Sequence, residues 1–324
     1  MNVKERTLEV LEKNRGKFIS GEELAKEFCV SRNSVWKSIK TLQSEGYNIS
    51  AVTNKGYSLA NNSDIISSQS IQKYISQYPN IFEISVHKII TSTNSVAKEL
   101  AYQGAKEGTV IISEEQTAGR GRLGRSFFSP SQTGLYMSII LRPTLTASQS
   151  LLITTAAAVA VSQAIEKVSG KQAKIKWVND VYCEEKKVSG ILTEASFSLE
   201  NGGLEFVVLG IGINVKSPKD GFPSDVENIA TALFDGEVLT DVRSQLAADV
   251  LHNFWHYYLN ISDKTFVQEY KDRSFLIGRK INVISGDSMQ SATVLEISDD
   301  CGLKVKMSDG TVITLSAGEV SIKM

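Results

Sequence analysis

Residues 31–59 read SRNSVWKSIKTLQSEGYNISAVTNKGYSL, and their pattern decides the N-terminal fold. Ser31 is placed as an N-cap, with a side-chain oxygen that accepts backbone N–H groups of the following turn. Val35, Ile39 and Leu42 then recur at helical spacing, which predicts a helix with one apolar stripe. Its outer face carries Arg32, Asn33, Ser34, Lys37, Ser38 and Thr41. After Gly46, the segments 47–52 and 57–59 flank Thr53-Asn54-Lys55-Gly56, so a hairpin with glycine at the turn is expected.

Working outward, Leu8 and Leu11, then Leu24 and Phe28, give two earlier short helices, punctuated by Gly21 and by Cys29-Val30. Three helices and a hairpin compose a winged helix-turn-helix. Through Val30 there are six basic and six acidic residues, whereas residues 31–60 hold Arg32, Lys37, Lys40 and Lys55 against Glu45 alone, a net +3. The basic excess falls on the third helix and hairpin, where a DNA reader must touch phosphate. A small helical packing domain with a merely solvated polar face is the alternative.

The chain of 324 residues suggests two domains, or three if one is small. With 42% hydrophobic and 22% charged residues, a large core is expected and a disordered or collagen-like chain is excluded. Thirty-five Lys plus Arg against 36 Asp plus Glu leave a net charge of -1, which excludes a wholesale polycation. Cys29, Cys183 and Cys301 are odd in number and follow no CxxC spacing, so no disulfide framework or zinc ribbon is expected, and a reducing cytoplasm fits. The N-terminal MNVKERTLEVLEK lacks the unbroken apolar core of a secretory signal. The apolar run 151–168 contains Thr154, Thr155, Ser162 and Gln163 and reads as a buried helix rather than a membrane span.

Residues 60–70, ANNSDIISSQS, read as a polar linker or loop. Beyond it, strands are expected over 82–90, 109–114, 134–141, 188–194 and 206–213, with helices over 95–103, 151–168 and about 240–258. The last fifty residues hold short runs at 280–284, 292–297, 303–307 and 312–315 separated by Gly- and Asp-rich turns, which suggests a small β-barrel. The chain is therefore read as α+β: a winged helix over 1–62, a mixed α/β domain over 66–275 and a β-barrel over 276–324.

The chemistry concentrates in Gly119-Arg120-Gly121-Arg122-Leu123-Gly124-Arg125. Its glycines free the backbone for close approach and its arginines offer forked donors for carboxylate or phosphate oxygens, so an anion is expected. The Lys-Ser/Thr ending of a Walker loop and the spacing of a Rossmann fingerprint are both absent; a basic surface loop is the plain alternative. Lys176-Trp177-Val178-Asn179-Asp180 places an amide and a carboxylate at a strand end, suited to a metal or a ribose. Lys187-Val188-Ser189-Gly190-Ile191-Leu192 sets a cation before a buried strand. In Gly210-Ile211-Gly212-Ile213-Asn214, the glycines strip one face of side chains, which suits something that approaches the strand closely, such as a flat ligand. His252 and His256 lie four apart on a helix but lack an HExxH pattern, and His87 is given no role.

Taken in order, Ser92-Thr93-Asn94, Gln116, GRGRLGR, KWVND, KVSGIL and GIGIN between a winged helix and a C-terminal barrel resemble the bifunctional biotin-protein ligase and biotin-operon repressor family over nearly the whole chain. Two departures are visible: Val178 where the family has proline, and Phe127 where it has tryptophan.

The resemblance implies a ligase domain and an SH3-like C-terminal barrel, with ATP and Mg²⁺ as cofactors and biotin as substrate. It implies a biotin site of Ser92, Thr93, Asn94, Gln116, Arg120, Gly121, Arg122, Lys187 and Gly190, and a nucleotide site of Arg122, Arg125, Phe127, Lys176, Asn179 and Asn214. Arg122, Lys187 and Asp180 would be catalytic, with Asp180 on the metal. The valerate carboxylate is a poor electrophile until AMP is attached, and cations aimed at carboxylate and α-phosphate lower the barrier to their approach. Biotin would then pass to a lysine of the biotin carboxyl carrier domain of acetyl-CoA carboxylase or another biotin enzyme. Arg32, Asn33, Ser34, Lys37, Lys40 and Lys55 would contact operator DNA, as a homodimer when biotinyl-AMP is bound; no membrane partner is implied. A sensor without catalysis and a lipoate ligase are the competing readings. The first has no use for phosphate-handling cations, and the second is not expected to join this loop to a winged helix.

Overall fold

The structure is a computed structural model that describes residues 1–75, 77–78, 80–146, 149–197, 203–236, 241–285, 288–316 and 318–322. It divides into two compact units, residues 1–81 with 236–249, and residues 82–235 with 250–324.

The first unit opens with α1 (Val3–Lys13), α2 (Gly21–Phe28) and α3 (Arg32–Ser44), followed by the hairpin β1 (Ile49–Val52) and β2 (Gly56–Leu59). Asn2 and Ser20 close capping boxes on α1 and α2, and Ser31 accepts the backbone N–H of Ser34 at the start of α3. Leu8, Leu11, Leu24, Phe28, Val35, Ile39 and Leu42, the apolar stripe of the sequence, meet in one core with Ile49 and Leu59. The hairpin pairs Ile49 with Leu59 and Val52 with Gly56. Gly56 has φ +104°, and a β-carbon there would strike the backbone of Ile19.

The segment read as a linker or loop is irregular through Ser67 and then enters a helix. Ser67 caps a short helix α4 (Ser68–Gln72), and the Arg243 guanidinium meets the Asp64 carboxylate at 3.0 Å. Glu12 at the end of α1 joins Arg15 and Lys73, both of which also reach Asp241. Apart from Glu12 with Arg15, these pairings join partners far apart in sequence, which apolar content alone could not reveal.

The second unit is built on a seven-stranded mixed sheet. Its strands are β3 (Glu83–Ile90), β4 (Thr109–Gln116), β5 (Gly134–Leu141), β6 (Lys174–Lys176), β7 (Asp180–Cys183), β8 (Lys186–Phe197) and β9 (Leu204–Asn214). They lie in the order β3-β4-β5-β9-β8-β7-β6, with β3 and β4 parallel and the other neighbours antiparallel. Helix α5 (Thr93–Tyr102) packs on β4, β5 and β9, sharing a core of Ala97, Ala101, Ile111, Ile140, Phe206 and Val208. Helix α6 (Ser150–Ser169) packs against β8; its length and composition would suit a membrane crossing, yet residues from Leu152 to Ile165 are buried almost without a break.

Helices α7 (Val242–Leu259) and α8 (Val267–Arg273) follow, the first having begun in the other unit. The expected start of α7 near residue 240 lies outside the described residues. Strands β10 (Lys280–Ser285), β11 (Ser288–Ile297), β12 (Leu303–Met307), β13 (Val312–Leu315) and β14 (Glu319–Ile322) pair antiparallel in the order β13-β12-β11-β10-β14. A small C-terminal β domain is therefore present. Its pairing, among the described residues, is that of a five-stranded sheet with β13 and β14 at its edges.

Candidate active site

Two adjoining pockets share Arg120, Phe127, Gly190 and Leu192 in their walls. The smaller is lined by Ser92, Thr93, Asn94, Gln116, Gly210 and Gly212. Ser92 is the N-cap of α5, so Thr93 and Asn94 sit in its first turn beside the sheet. Gln116 ends β4, and its Oε1 accepts from the backbone N–H and hydroxyl of Thr93 at 2.7 and 3.1 Å. Its Nε2 donates to Ser129 at 2.9 Å. Ser138 donates toward Asn94 Oδ1 at 2.6 Å, and Asn94 Nδ2 donates to Glu194 at 2.9 Å.

The larger pocket collects the cations. Gly121, Arg122, Arg125, Lys176, Asn179, Asp180, Lys187 and Asn214 all line it, together with apolar Phe222, Val226 and Ile229. The glycine-arginine segment closes on itself: Gly121 N–H donates to the Arg125 carbonyl and Phe127 N–H to that of Gly119. A β-carbon on Gly119 would run into the Phe127 carbonyl, so this glycine is required by the chain's own turn. Leu123, at φ 54°, stands 74% exposed at the tip.

Arg122 donates to Asn179 Oδ1 at 3.0 Å and to the Gly318 carbonyl at 2.8 Å. Both are neutral acceptors, so its charge stays available to an anion. Asn179 is fixed in turn by donating to the Ile191 carbonyl. Lys187 Nζ lies 2.7 Å from Asp180 Oδ1, an ionic contact whose angles do not make a hydrogen bond and which leaves that oxygen without a hydrogen-bond donor. Burial first, then the Asp180 charge, push the Tyr182 phenol up to about 12, which keeps it neutral beside the cations.

The KWVND turn between β6 and β7 is held from behind. Trp177 Nε1 donates to the Cys301 carbonyl at 2.8 Å and Tyr270 to the Val178 carbonyl at 3.1 Å. The Trp177–Val178 peptide bond is cis.

The close approach expected at the β9 glycines is made in part by the chain's own side chains: a β-carbon on Gly210 would collide with the Asn94 amide, and one on Gly212 would lie 2.6 Å from the Phe127 ring, while both glycines also line the smaller pocket. Every residue assigned to biotin or nucleotide lines one of the two pockets. Ser129, Ser138, Tyr182 and Glu194 were missed. Ser138 is the one polar side chain in the strand GLYMSIIL besides Tyr136, and that interruption was a usable signal.

In the first unit Arg32, Asn33, Lys37, Lys40 and Lys55 are exposed and Ser34 is half-buried. Trp36, also missed, is 48% exposed on the same helix. Among the described residues no group of three or more His, Cys, Asp or Glu side chains is placed to hold a metal, His252 and His256 included.

A polar pocket beside a cation-lined one, on this sheet and joined to a winged helix, defines a carboxylate-activating ligase with a DNA-reading domain. A model of the biotin/lipoate A/B protein ligase family matches residues 86–214, and a helix-turn-helix domain model matches residues 4–58. The bifunctional ligase/repressor BirA of Bacillus subtilis is 38% identical over 226 residues, covering 70% of this chain and 69% of that protein. That of Escherichia coli is 27% identical over 315 residues, 95% of this chain and 94% of its own. The solved biotin protein ligase from Aquifex aeolicus in complex with biotin and ATP is 26% identical, covers 74% of this chain and 98% of its own, and superposes with a TM-score of 0.60. The chain belongs to the bifunctional biotin-protein ligase and repressor family.

Proposed function

We propose that this chain joins biotin to ATP as biotinyl-5'-AMP, passes biotin to a lysine of a biotin carboxyl carrier domain, and represses transcription when the adenylate is retained. The observation that carries this reading is the continuity of the two pockets through Arg120, Phe127, Gly190 and Leu192. A hydrogen-bonding end of Ser92, Thr93, Asn94 and Gln116 suits the ureido ring. The cationic end suits the triphosphate, so the valerate carboxylate lies where the two meet.

Arg120, Arg122 and Lys187 offset the repulsion between carboxylate and α-phosphate as they approach. Gly121 and Gly190 keep that passage narrow in side chains, and Phe127 offers an aromatic face. Arg125, Lys176, Asn179 and Asn214 hold the nucleotide. Mg²⁺ is ordinarily bound by one or two carboxylates plus substrate phosphates. Asp180, whose Oδ1 has the Lys187 ammonium at 2.7 Å and no hydrogen-bond donor, would be the carboxylate for that use. When bound, the ion neutralises phosphate charge. In transfer, the carrier lysine, with an unperturbed pKa of about 10.4, must lose a proton before it attacks; Asp180 is the proposed base.

Arg32, Asn33 and Ser34 read bases from the start of α3, while Lys37, Lys40 and Lys55 contact phosphate. A single winged helix covers a short half-site, so a homodimer on an inverted repeat is proposed, stabilised by biotinyl-AMP when unbiotinylated carrier is scarce. These activities place the chain in the cytoplasm. Incubation with ATP, Mg²⁺, biotin and a carrier domain tests the ligase: mass spectrometry should show one added biotinyl group on the carrier, and an unmodified carrier would refute it. Sedimentation with and without biotinyl-AMP tests the dimer, which an unchanged sedimentation coefficient would exclude.

A further inference from the structure

Glu194, in β8, belongs to none of the motifs above, yet its carboxylate joins the two halves of the site. Its Oε2 accepts from Asn94 Nδ2 at 2.9 Å, and both its oxygens lie 3.1 Å from Arg120 NH1. Asn94 is only 4% exposed, so whichever end of its amide faces the ligand is decided by protein partners. Ser138 cannot decide it, because a hydroxyl rotates to donate or accept. A carboxylate can only accept: were the amide reversed, its oxygen would face the carboxylate at hydrogen-bond distance, and the two would repel. The Leu192 carbonyl, also an acceptor, favours the same orientation from 3.4 Å.

We propose that Glu194 is a positioning residue that sets the polarity of the Asn94 amide and tethers Arg120 of the glycine-arginine loop to it. This rests on the reading of the smaller pocket as the biotin site. With Oδ1 taking a hydrogen bond from Ser138 and one lone pair to spare, Asn94 presents an acceptor, which recognises a ligand N–H such as that of a cyclic urea. The same carboxylate holds the Arg120 cation at the passage between the pockets, where a ligand carboxylate is due.

The test is calorimetric binding of biotin, without ATP, to the full-length wild type, Glu194→Gln and Glu194→Ala, alongside the KM for ATP in pyrophosphate exchange. Glutamine can still accept from Asn94 but can also reverse, and it releases the Arg120 charge, so its biotin affinity should fall between wild type and alanine. Alanine removes the acceptor and should weaken binding roughly 10- to 100-fold, the span of one lost charge-assisted hydrogen bond. The KM for ATP should stay within about twofold in both. Alanine or glutamine binding as tightly as wild type, or an equal rise in the KM for ATP, would each overturn the role of Glu194. A wild type that binds no biotin would overturn the reading of the site as well.

Discussion

Lys187 Nζ and Asp180 Oδ1 stand 2.7 Å apart on the paired strands β7 and β8, so the cation and anion assigned to the reaction form an ion pair in the wall of the larger pocket. Arg122 differs, since its partners are the Asn179 amide and a backbone carbonyl. Replacing Lys187 uncovers a negative charge, whereas replacing Arg122 uncovers none.

Arg122→Ala and Lys187→Ala should each slow adenylate formation by about 100-fold or more, because each removes a charge-assisted contact to developing negative charge. Lys187→Ala should be the worse of the two, since Asp180 then repels the incoming phosphates. Pyrophosphate exchange measures this, and near-normal exchange by both variants would remove the loop from the mechanism.

Asp180→Asn preserves shape and removes charge, so both adenylation and transfer should slow. Supplying chemically made biotinyl-AMP isolates the second step. Transfer at the full rate there would leave Asp180 with a role in adenylation alone.

Much of this was legible in the sequence. Arg120, Arg122 and Arg125 stand out because cations interleaved with glycines have few structural uses, whereas Lys187 and Asp180 gain their assignment from the resemblance of their motifs. The winged helix follows from Val35, Ile39 and Leu42 at one spacing and a glycine-marked turn. Glu194 and Ser129 were not legible, since each acts through a partner brought close only by the sheet. The linker helix and its pairing of Asp64 with Arg243 were hidden for the same reason. The β9 glycines signalled a close approach, because spacing shows that a face is bare, but not that Asn94 and Phe127 make it.

Gly212→Val should push the Phe127 ring aside, since even a β-carbon lies 2.6 Å from it. Such overpacking costs about 1–3 kcal/mol. Thermal unfolding should show that modest loss, while binding of biotin and ATP falls together because Phe127 borders both pockets. Unchanged affinity for both would mean that the ring's position does not matter.

Glu166 accepts both arms of the Arg273 guanidinium and the backbone N–H of Ala173, just before β6. Chiefly through the Arg273 hydrogen bond, its carboxyl is held below the usual value of 4.5. A lowered folded pKa contributes stability that is present above about 4.5 and is lost as pH falls through the folded value. Glu166→Gln should therefore lower the unfolding midpoint at pH 7 and leave it nearly unchanged at the acid end. An equal loss at every pH would point to packing instead.

For DNA, deleting residues 1–62 should abolish operator binding. Lys37→Ala, Lys40→Ala and Lys55→Ala should each weaken binding to all sequences and reduce the salt slope by about one unit. Arg32→Ala should instead relax sequence preference. Titrations at several stated salt concentrations distinguish these, and a salt slope unaltered by all three lysine changes would place the phosphates elsewhere.

Composition marks residue 276 as a natural place to trim the chain, for instance to make a compact labelling reagent. The contacts argue for leaving that end intact. Gly318 supplies a carbonyl to Arg122, Cys301 supplies one to Trp177, and Val320 lines the larger pocket. A shortened enzyme would keep every motif a sequence search recognises and lose the backing that holds its principal arginine in place.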